Sequence, residues 1–393
     1  MVNRIGIFHV IAFACLAFFF GCKKEPTQTV NPGFIKEFVF DDSAVSGSFI
    51  WQTSQNELLI VGTKGASPMI LKTDAMGNLL SHQSASGKYY SFLNVTKLSD
   101  GTFFCSSSDH FFDMDGSANL QWAVDSSVLN YYFQGSQVVM NGGNYLMGLS
   151  EGYFSANQTL NVIFRYDKNH VLLSSDSFVD PAKTGKTLSI WALELRQDGE
   201  YNVFGSKYAN PSWNWDDPLR IYIGKTASKV LNIHVLDSGL TRYSDHITNY
   251  INTADSGFLI NASRYDYKSA NSYILIIKLD KDLNFQSEHT YSYNTLSTTG
   301  YGISPCRDGG YLISGGYNTS LANTNSNPYV LRIDKKGNKL WDKVISMPGS
   351  SWFNSGIELQ DGSLMFTGST SSYGKGVSRK SAFLVKLDAN GNL

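Results

Sequence analysis

Gly148-Leu149-Ser150-Glu151-Gly152 has the G-x-S-x-G spacing that lifts a serine nucleophile onto a strand-to-helix turn. Here a polar loop follows where the helix is needed, and no triad partner is identifiable, so the match carries no nucleophile. Thr184-Gly185-Lys186-Thr187 and Gly224-Lys225-Thr226 end like phosphate-cradling loops, but Asp180 and Leu219 stand where the leading glycine is required. Asp113-Met114-Asp115-Gly116 and Asp280-Lys281-Asp282-Leu283-Asn284 have the acidic spacing of calcium loops. A calcium site needs more oxygen ligands, including a bidentate carboxylate downstream. Asn78, Asn338 and Asn392 recur at the same turn position beside structural residues, which makes these stretches hairpin turns. His82, His110, His170, His234, His246 and His289 have no ligand spacing. No carboxylate pair presents itself for glycosidic chemistry. The expectation is therefore no catalytic set, no metal and no cofactor.

The residues suited to recognition are aromatic. The stretch from Tyr208 to Pro218 holds Trp213, Trp215, Asp216 and Asp217. The connections entering successive repeats carry Tyr89-Tyr90, Tyr131-Tyr132, Trp191, Tyr243, Tyr301 and Trp352. Aromatic rings beside Asp and Asn suit a sugar, whose C–H faces stack while its hydroxyls find polar partners. They equally suit a protein partner, because Tyr and Trp dominate interface hot spots. Packing of these rings between repeats is the competing reading, and it is the stronger one for the aromatics at the repeat entries.

Positioning such residues falls to a repeat. Gly300 to Ser346 reads as four short strands, with a tight turn at Asp308-Gly309-Gly310, a polar loop from Asn318 to Pro328, and a turn at Asp334-Lys335-Lys336-Gly337-Asn338. The third-strand ending recurs as Leu71-Lys72-Thr73-Asp74, Arg165-Tyr166-Asp167, Lys278-Leu279-Asp280, Arg332-Ile333-Asp334 and Lys386-Leu387-Asp388. Phe112-Asp113 and Gly224-Lys225-Thr226 mark two degenerate units, and second-strand signatures bring the total to seven. Four short strands at a fixed period predict an all-β fold, a seven-bladed β-propeller of four-stranded blades. The seventh unit lacks an outer strand, and Phe34 to Phe40 is a spare one, so the N-terminal strand is expected to complete the last blade. Short Asp-Gly and Asp-x-x-Gly-Asn turns belong at one end of the blades. Longer loops at Gly152–Asn161, Tyr208–Pro218, Tyr265–Ser272, Tyr317–Pro328 and Ser371–Ser381 belong at the other, where binding usually resides.

The 42% hydrophobic content supports a core, and 22 Tyr and 24 Phe against 9 Pro fit β-structure. A formal net charge of −1 gives no reason to expect a nucleic-acid partner. Cys105 and Cys306 lie in distant repeats and read as buried thiols rather than a disulfide framework.

Ile5 to Phe20 is apolar but short of the roughly 20 residues that span a bilayer, and it ends in Phe19-Phe20-Gly21-Cys22. This resembles a bacterial lipoprotein signal, although Phe19 stands where that pattern usually has Leu. The resemblance implies a signal over 1–21, lipidation of Cys22, a polar tether over 22–33 and a domain over 34–393. Lys23-Lys24-Glu25 resembles the surface-export tethers of some Gram-negative lipoproteins. An outer-membrane, lipid-anchored location follows, with the membrane as one partner.

Asp308-Gly309-Gly310-Tyr311-Leu312-Ile313-Ser314-Gly315 followed by Tyr329 to Trp341 resembles the repeats of bacterial β-propeller lipoproteins. That resemblance implies fold rather than activity, since proteins of this shape include scaffolds, adhesins, glycan binders and enzymes. Two functions remain open. One is a non-catalytic binding or scaffold module for a protein or glycan; the other is a carbohydrate-active enzyme or glycan-binding accessory of a polysaccharide-uptake system.

Overall fold

The structure, a computed structural model, describes residues 33–40, 43–85, 92–98, 101–107, 110–125, 138–141, 144–150, 160–167, 169, 171–179, 188–196, 201–208, 219–227, 230–235, 242–320, 323–347, 349–371 and 380–393. Strand β1 (Phe34–Phe38) comes first, and each later group of strands follows in chain order. The first sheet is β2 (Val45–Gln52), β3 (Leu58–Lys64), β4 (Ser67–Thr73) and β5 (Leu79–Ser84). The second is β6 (Phe92–Lys97), β7 (Phe103–Ser107), β8 (His110–Met114) and β9 (Leu120–Asp125). The third is β10 (Val138–Asn141), β11 (Asn144–Ser150), β12 (Leu160–Tyr166) and β13 (Leu172–Val179). The fourth is β14 (Leu188–Leu195), β15 (Tyr201–Tyr208), β16 (Leu219–Ala227) and β17 (Val230–Val235). The fifth is β18 (Tyr243–Asn252), β19 (Phe258–Asp266), β20 (Asn271–Leu279) and β21 (Phe285–Tyr291). The sixth is β22 (Thr298–Pro305), β23 (Tyr311–Ser320), β24 (Asn323–Ile333) and β25 (Lys339–Val344). The last is β26 (Ser351–Glu358), β27 (Leu364–Thr370), β28 (Ser381–Leu387) and, from the other end of the chain, β1. All pairings are antiparallel; Phe34 lies opposite Lys386 and Phe38 opposite Ala382.

The core lies between sheets, not within one. Every residue of β27 and β28 is buried, whereas every residue of β5 is exposed. A middle strand has both faces covered by neighbouring sheets, so it carries apolar residues at consecutive positions; an outer strand meets water. One apolar cluster joins Leu312 and Val330 of the sixth sheet to Phe366, Phe383 and Val385 of the last. Another joins Val45, Ile50 and Ile60 of the first sheet to Phe38, Met365 and Leu384 of the last. Cys105 and Cys306 are free and buried.

The recurrent turn residues hold the hairpins. In Asp74, Asp115, Asp280, Asp334 and Asp388, Oδ1 accepts the amides two and four residues on, and Oδ2 accepts the amide nitrogen of the following Asn. Asp115 and Asp280, one acid from each stretch with calcium-like spacing, thus spend their lone pairs on their own turn. Gly337 (φ +88°) supplies the left-handed backbone the turn needs and lies against His289 of the preceding sheet.

The basic residue before four of the third-strand Asp residues has a second task. Lys72 pairs with Glu57 (2.7 Å), Lys278 with Asp255 (2.6 Å), Arg332 with Asp308 (2.6 Å) and Lys386 with Asp361 (3.2 Å). Each acid sits in the turn between the first and second strands, so the pair ties two hairpins of one sheet together. The Lys278 ammonium holds the Asp255 carboxyl down at about 2.

Two expected loops are shorter than their polar sequences imply. Tyr265–Ser272 is a hairpin, with β19 running to Asp266 and β20 starting at Asn271. Asn318–Pro328 is mostly strand, because β23 reaches Ser320 and β24 begins at Asn323. Backbone pairing continues through polar residues there, since a hairpin tip standing in water needs no apolar face.

Candidate binding site

Among the described residues, six of the seven inner strands share a defect, β10 being the exception. Register shifts by one residue between Gly47 and Phe49, Phe92 and Asn94, Ile190 and Ala192, Ile247 and Asn249, Gly300 and Gly302, and Phe353 and Ser355. Each is a β-bulge, and the extra residues are Ser48, Leu93, Trp191, Thr248, Tyr301 and Asn354. A bulge leaves one residue out of the ladder and re-aims its side chain. Two of the aromatics picked out by sequence, Trp191 and Tyr301, occupy this position; the Trp191 side chain lies outside the described residues, as do Tyr131, Tyr132, Trp213, Trp215, Asp216, Asp217 and Cys22.

The bulge explains the glycine that closes the second-strand signature. A Cβ on Gly62, Gly315 or Gly368 would press into the carbonyl oxygen of Ser46, Thr299 or Trp352 on the inner strand. We expect Gly315→Ala to destabilise the fold by about 1–3 kcal/mol through this overpacking. A thermal melt checks it, and an unchanged midpoint would count against the bulge geometry.

Tyr301 and Trp352 come together over Gly316. A Cβ on Gly316 would lie 3.2 Å from Trp352 Cβ and 3.8 Å from both Tyr301 Cε2 and Ser326 Cβ. The missing side chain leaves an open floor beside the edge of the Tyr301 ring and the Cβ of Trp352, which belong to neighbouring sheets. Tyr301 is 42% exposed although it lies on an inner strand, and Trp352 is half-buried. Lys380 Nζ stands 4.6 Å from the centre of the Trp352 ring, within cation–π range.

Ser326 borders this floor, and its Oγ donates to Asn318 Oδ1 at 3.0 Å. Ser351 and Thr370 share a hydrogen bond of 2.6 Å but are fully buried beneath the surface. Ser350 N donates to Ser371 Oγ at 2.9 Å, while Ser326 N donates to Ser350 Oγ at 3.2 Å. Sequence reasoning chose Tyr301 and Trp352 but missed Gly316 and Lys380. The Gly315-Gly316 pair was the available signal, since only its first glycine is needed by the bulge.

The fifth sheet carries a charged cluster at the same end. Arg264 donates Nε and Nη2 to Asp245 (2.9 and 2.8 Å) and Nη1 to Glu288 (3.2 Å). Arg242 donates Nε and Nη2 to Asp266 (2.7 and 2.5 Å). The centre of the Tyr243 ring is 5.1 Å from each of the two guanidiniums. Hydrogen bonds from Arg242 hold the Asp266 carboxyl well below the usual carboxylate range. Burial pushes the His246 imidazole down to about 4, so it is neutral near pH 7. Carboxylates clamped by arginine are poor proton donors, and a neutral, desolvated imidazole is a poor acid; the cluster is built to hold shape.

The false motifs resolve as strands. Ser150 ends β11 opposite Asn161, and Lys225 of β16 pairs with Asn202, so Gly224-Lys225-Thr226 has no phosphate-cradling loop. Thr184–Thr187 lies outside the described residues.

No family model and no curated protein matches the chain. Among solved structures it is similar to a catalytically inactive variant of virginiamycin B lyase from Staphylococcus aureus with quinupristin, at a TM-score of 0.53 and 11% identity over 90% of this chain and 99% of that one. It is also similar to the extracellular domain of a protein described as a one component system, BT4673, from B. thetaiotaomicron. There the TM-score is 0.52 and identity 9%, over 92% of this chain and 43% of that one. The fold is propeller-like. At such identities the likeness extends to fold alone.

Proposed function

We propose that this chain is a non-catalytic lipoprotein of the outer membrane, anchored through Cys22, whose seven blades close into a β-propeller that binds a glycan between Tyr301 and Trp352. Closure is supported by a contact that repeats from sheet to sheet. Lys343, on the outer strand of the sixth sheet, donates to Asn392 in the turn of the last (3.2 Å). Lys36 on β1 donates to Asn78 in the turn of the first sheet (2.5 Å), so β1 serves the last sheet as β25 serves the sixth.

The observation that carries the binding reading is the pair of partly exposed aromatic residues, Tyr301 and Trp352, that both border a side-chain-free glycine. Rings of this kind stack on the C–H face of a sugar, and the part-buried Ser326, Asn318 and Ser350 suit its hydroxyls. A protein hot spot would place such aromatics in a broader apolar patch, whereas this floor is edged by hydroxyls and one ammonium.

A polysaccharide panel tests the reading. Saturable binding without product is expected, weakened about tenfold or more by Tyr301→Ala or Trp352→Ala, a loss of about 1.4 kcal/mol each. Melting curves of the variants separate lost binding from lost fold. Depletion of a polysaccharide would favour the enzyme reading. Binding lost only in Trp213→Ala or Trp215→Ala would move the site to that stretch, and no response to any glycan would favour a protein partner.

A further inference from the structure

The tether reaches the domain at a definite end. Because β1 runs antiparallel to β28, Phe34 lies opposite Lys386, two residues before the Asp388 turn. Gly33 packs so closely on the backbone of Leu393 and Lys386 that a Cβ there would collide with both. Gly33, the first described residue, therefore lies at the end that carries the Asp-x-x-Gly-Asn turns. Tyr301, Trp352 and Lys380 are at the opposite end: Ser351 pairs with Thr370, and Phe38, the far end of β1, lies opposite Ala382 beside Lys380.

The turn end also has an apolar rim. Leu79 and Leu80, Leu172 and Leu173, Phe285 and Leu340 are 43–53% exposed. Each is the first or second residue of an outer strand, directly after the turn, in the first, third, fifth and sixth sheets. Single exposed apolar residues are ordinary. The same two adjacent positions, repeated in four sheets at the end where Gly33 lies, ask for a common surface.

We propose that this surface is the lipid bilayer: the turn end rests on the membrane through its outer-strand leucines and Phe285, and the Tyr301–Trp352 end is presented away from it. The inference rests on lipidation of Cys22. The 12 residues from Cys22 to Gly33 span at most about 40 Å when extended and about 20 Å on average as a flexible coil. A tether this short holds the rim at high effective concentration beside the bilayer, so shallow contacts suffice.

The test uses the full-length acylated protein in phosphatidylethanolamine–phosphatidylglycerol vesicles containing spin-labelled lipid. Single cysteines at Leu80→Cys, Leu340→Cys and Lys380→Cys receive an environment-sensitive fluorophore. Cys105 and Cys306 do not compete, being buried, with thiol pKa values raised by that burial, for Cys306 to about 12. Emission at positions 80 and 340 is expected to shift to the blue and to be quenched by the lipid label, with position 380 unchanged. Quenching at 380, or no response at 80 and 340 in protein that floats with the vesicles, overturns the orientation. A shift at 340 that appears without lipid and grows with protein concentration assigns the rim to a second copy and overturns it too. Mass analysis of the N-terminal peptide reports separately on Cys22; an unacylated peptide removes the anchor reading and this inference with it.

Discussion

A chain lacking residues 34–38 is expected to lose its cooperative thermal transition rather than melt slightly earlier. β28 is buried at all seven positions, and β1 is its hydrogen-bonded neighbour on the outer side. Without β1 that strand becomes an exposed apolar edge, a template for aggregation. Phe38 would also leave the cluster it forms with Val45, Ile50 and Leu384. Truncating Phe38 alone to Ala should cost about 3–5 kcal/mol. Deleting 24–31 instead, within the tether, should leave the midpoint unchanged. Calorimetry on the three variants decides the matter. If the 34–38 deletion melts within a few degrees of the full chain, β1 is an ornament and the domain does not depend on joining its two ends.

What could be read in advance was whatever is local. Asp334 to Asn338 forms its turn from its own side chains, so the motif predicts the geometry wherever it recurs. The ladder of Lys or Arg before Asp was visible as a repeat, but its partners were not: Lys386 meets Asp361 only once the strands are paired. The bulges were invisible for the same reason. A one-residue slip between Gly300 and Gly302 leaves no mark in composition, yet it decides that Tyr301 is left out of the ladder. Polarity misled at Tyr265–Ser272 and Asn318–Pro328, where strands continue through Asn, Ser and Thr. Side chains there find local partners, as Ser326 does in Asn318, so a polar run did not mean a loop. Of the aromatics chosen for binding, Tyr301 and Trp352 lie at the end that carries the second-to-third-strand connections, and over the fifth and sixth sheets those connections are hairpins instead of loops.

The second large effect is expected at Asp245. Arg264 is only 11% exposed in its side chain and Asp245 only 9%, so the pair has left water almost completely. Asp245→Ala leaves a buried guanidinium with Glu288 as its remaining carboxylate, at 3.2 Å and 42% exposed. Breaking one side of a buried pair typically destabilises by about 3–5 kcal/mol, because the other charge stays behind uncompensated. Removing both charges in Asp245→Ala with Arg264→Met should recover much of that loss. The Tyr243 ring, which faces Arg264 and Arg242, keeps Arg242 in the double variant. Lys281 and Asp282 supply the contrast: their side chains are 69% and 54% exposed, and Asp282→Ala should change stability by less than about 1 kcal/mol. Denaturant melts of the single and double variants give the coupling directly. A cost at Asp245 no larger than that at Asp282 would mean that water reaches the arginine cluster, and the fifth sheet would lose its rigid end.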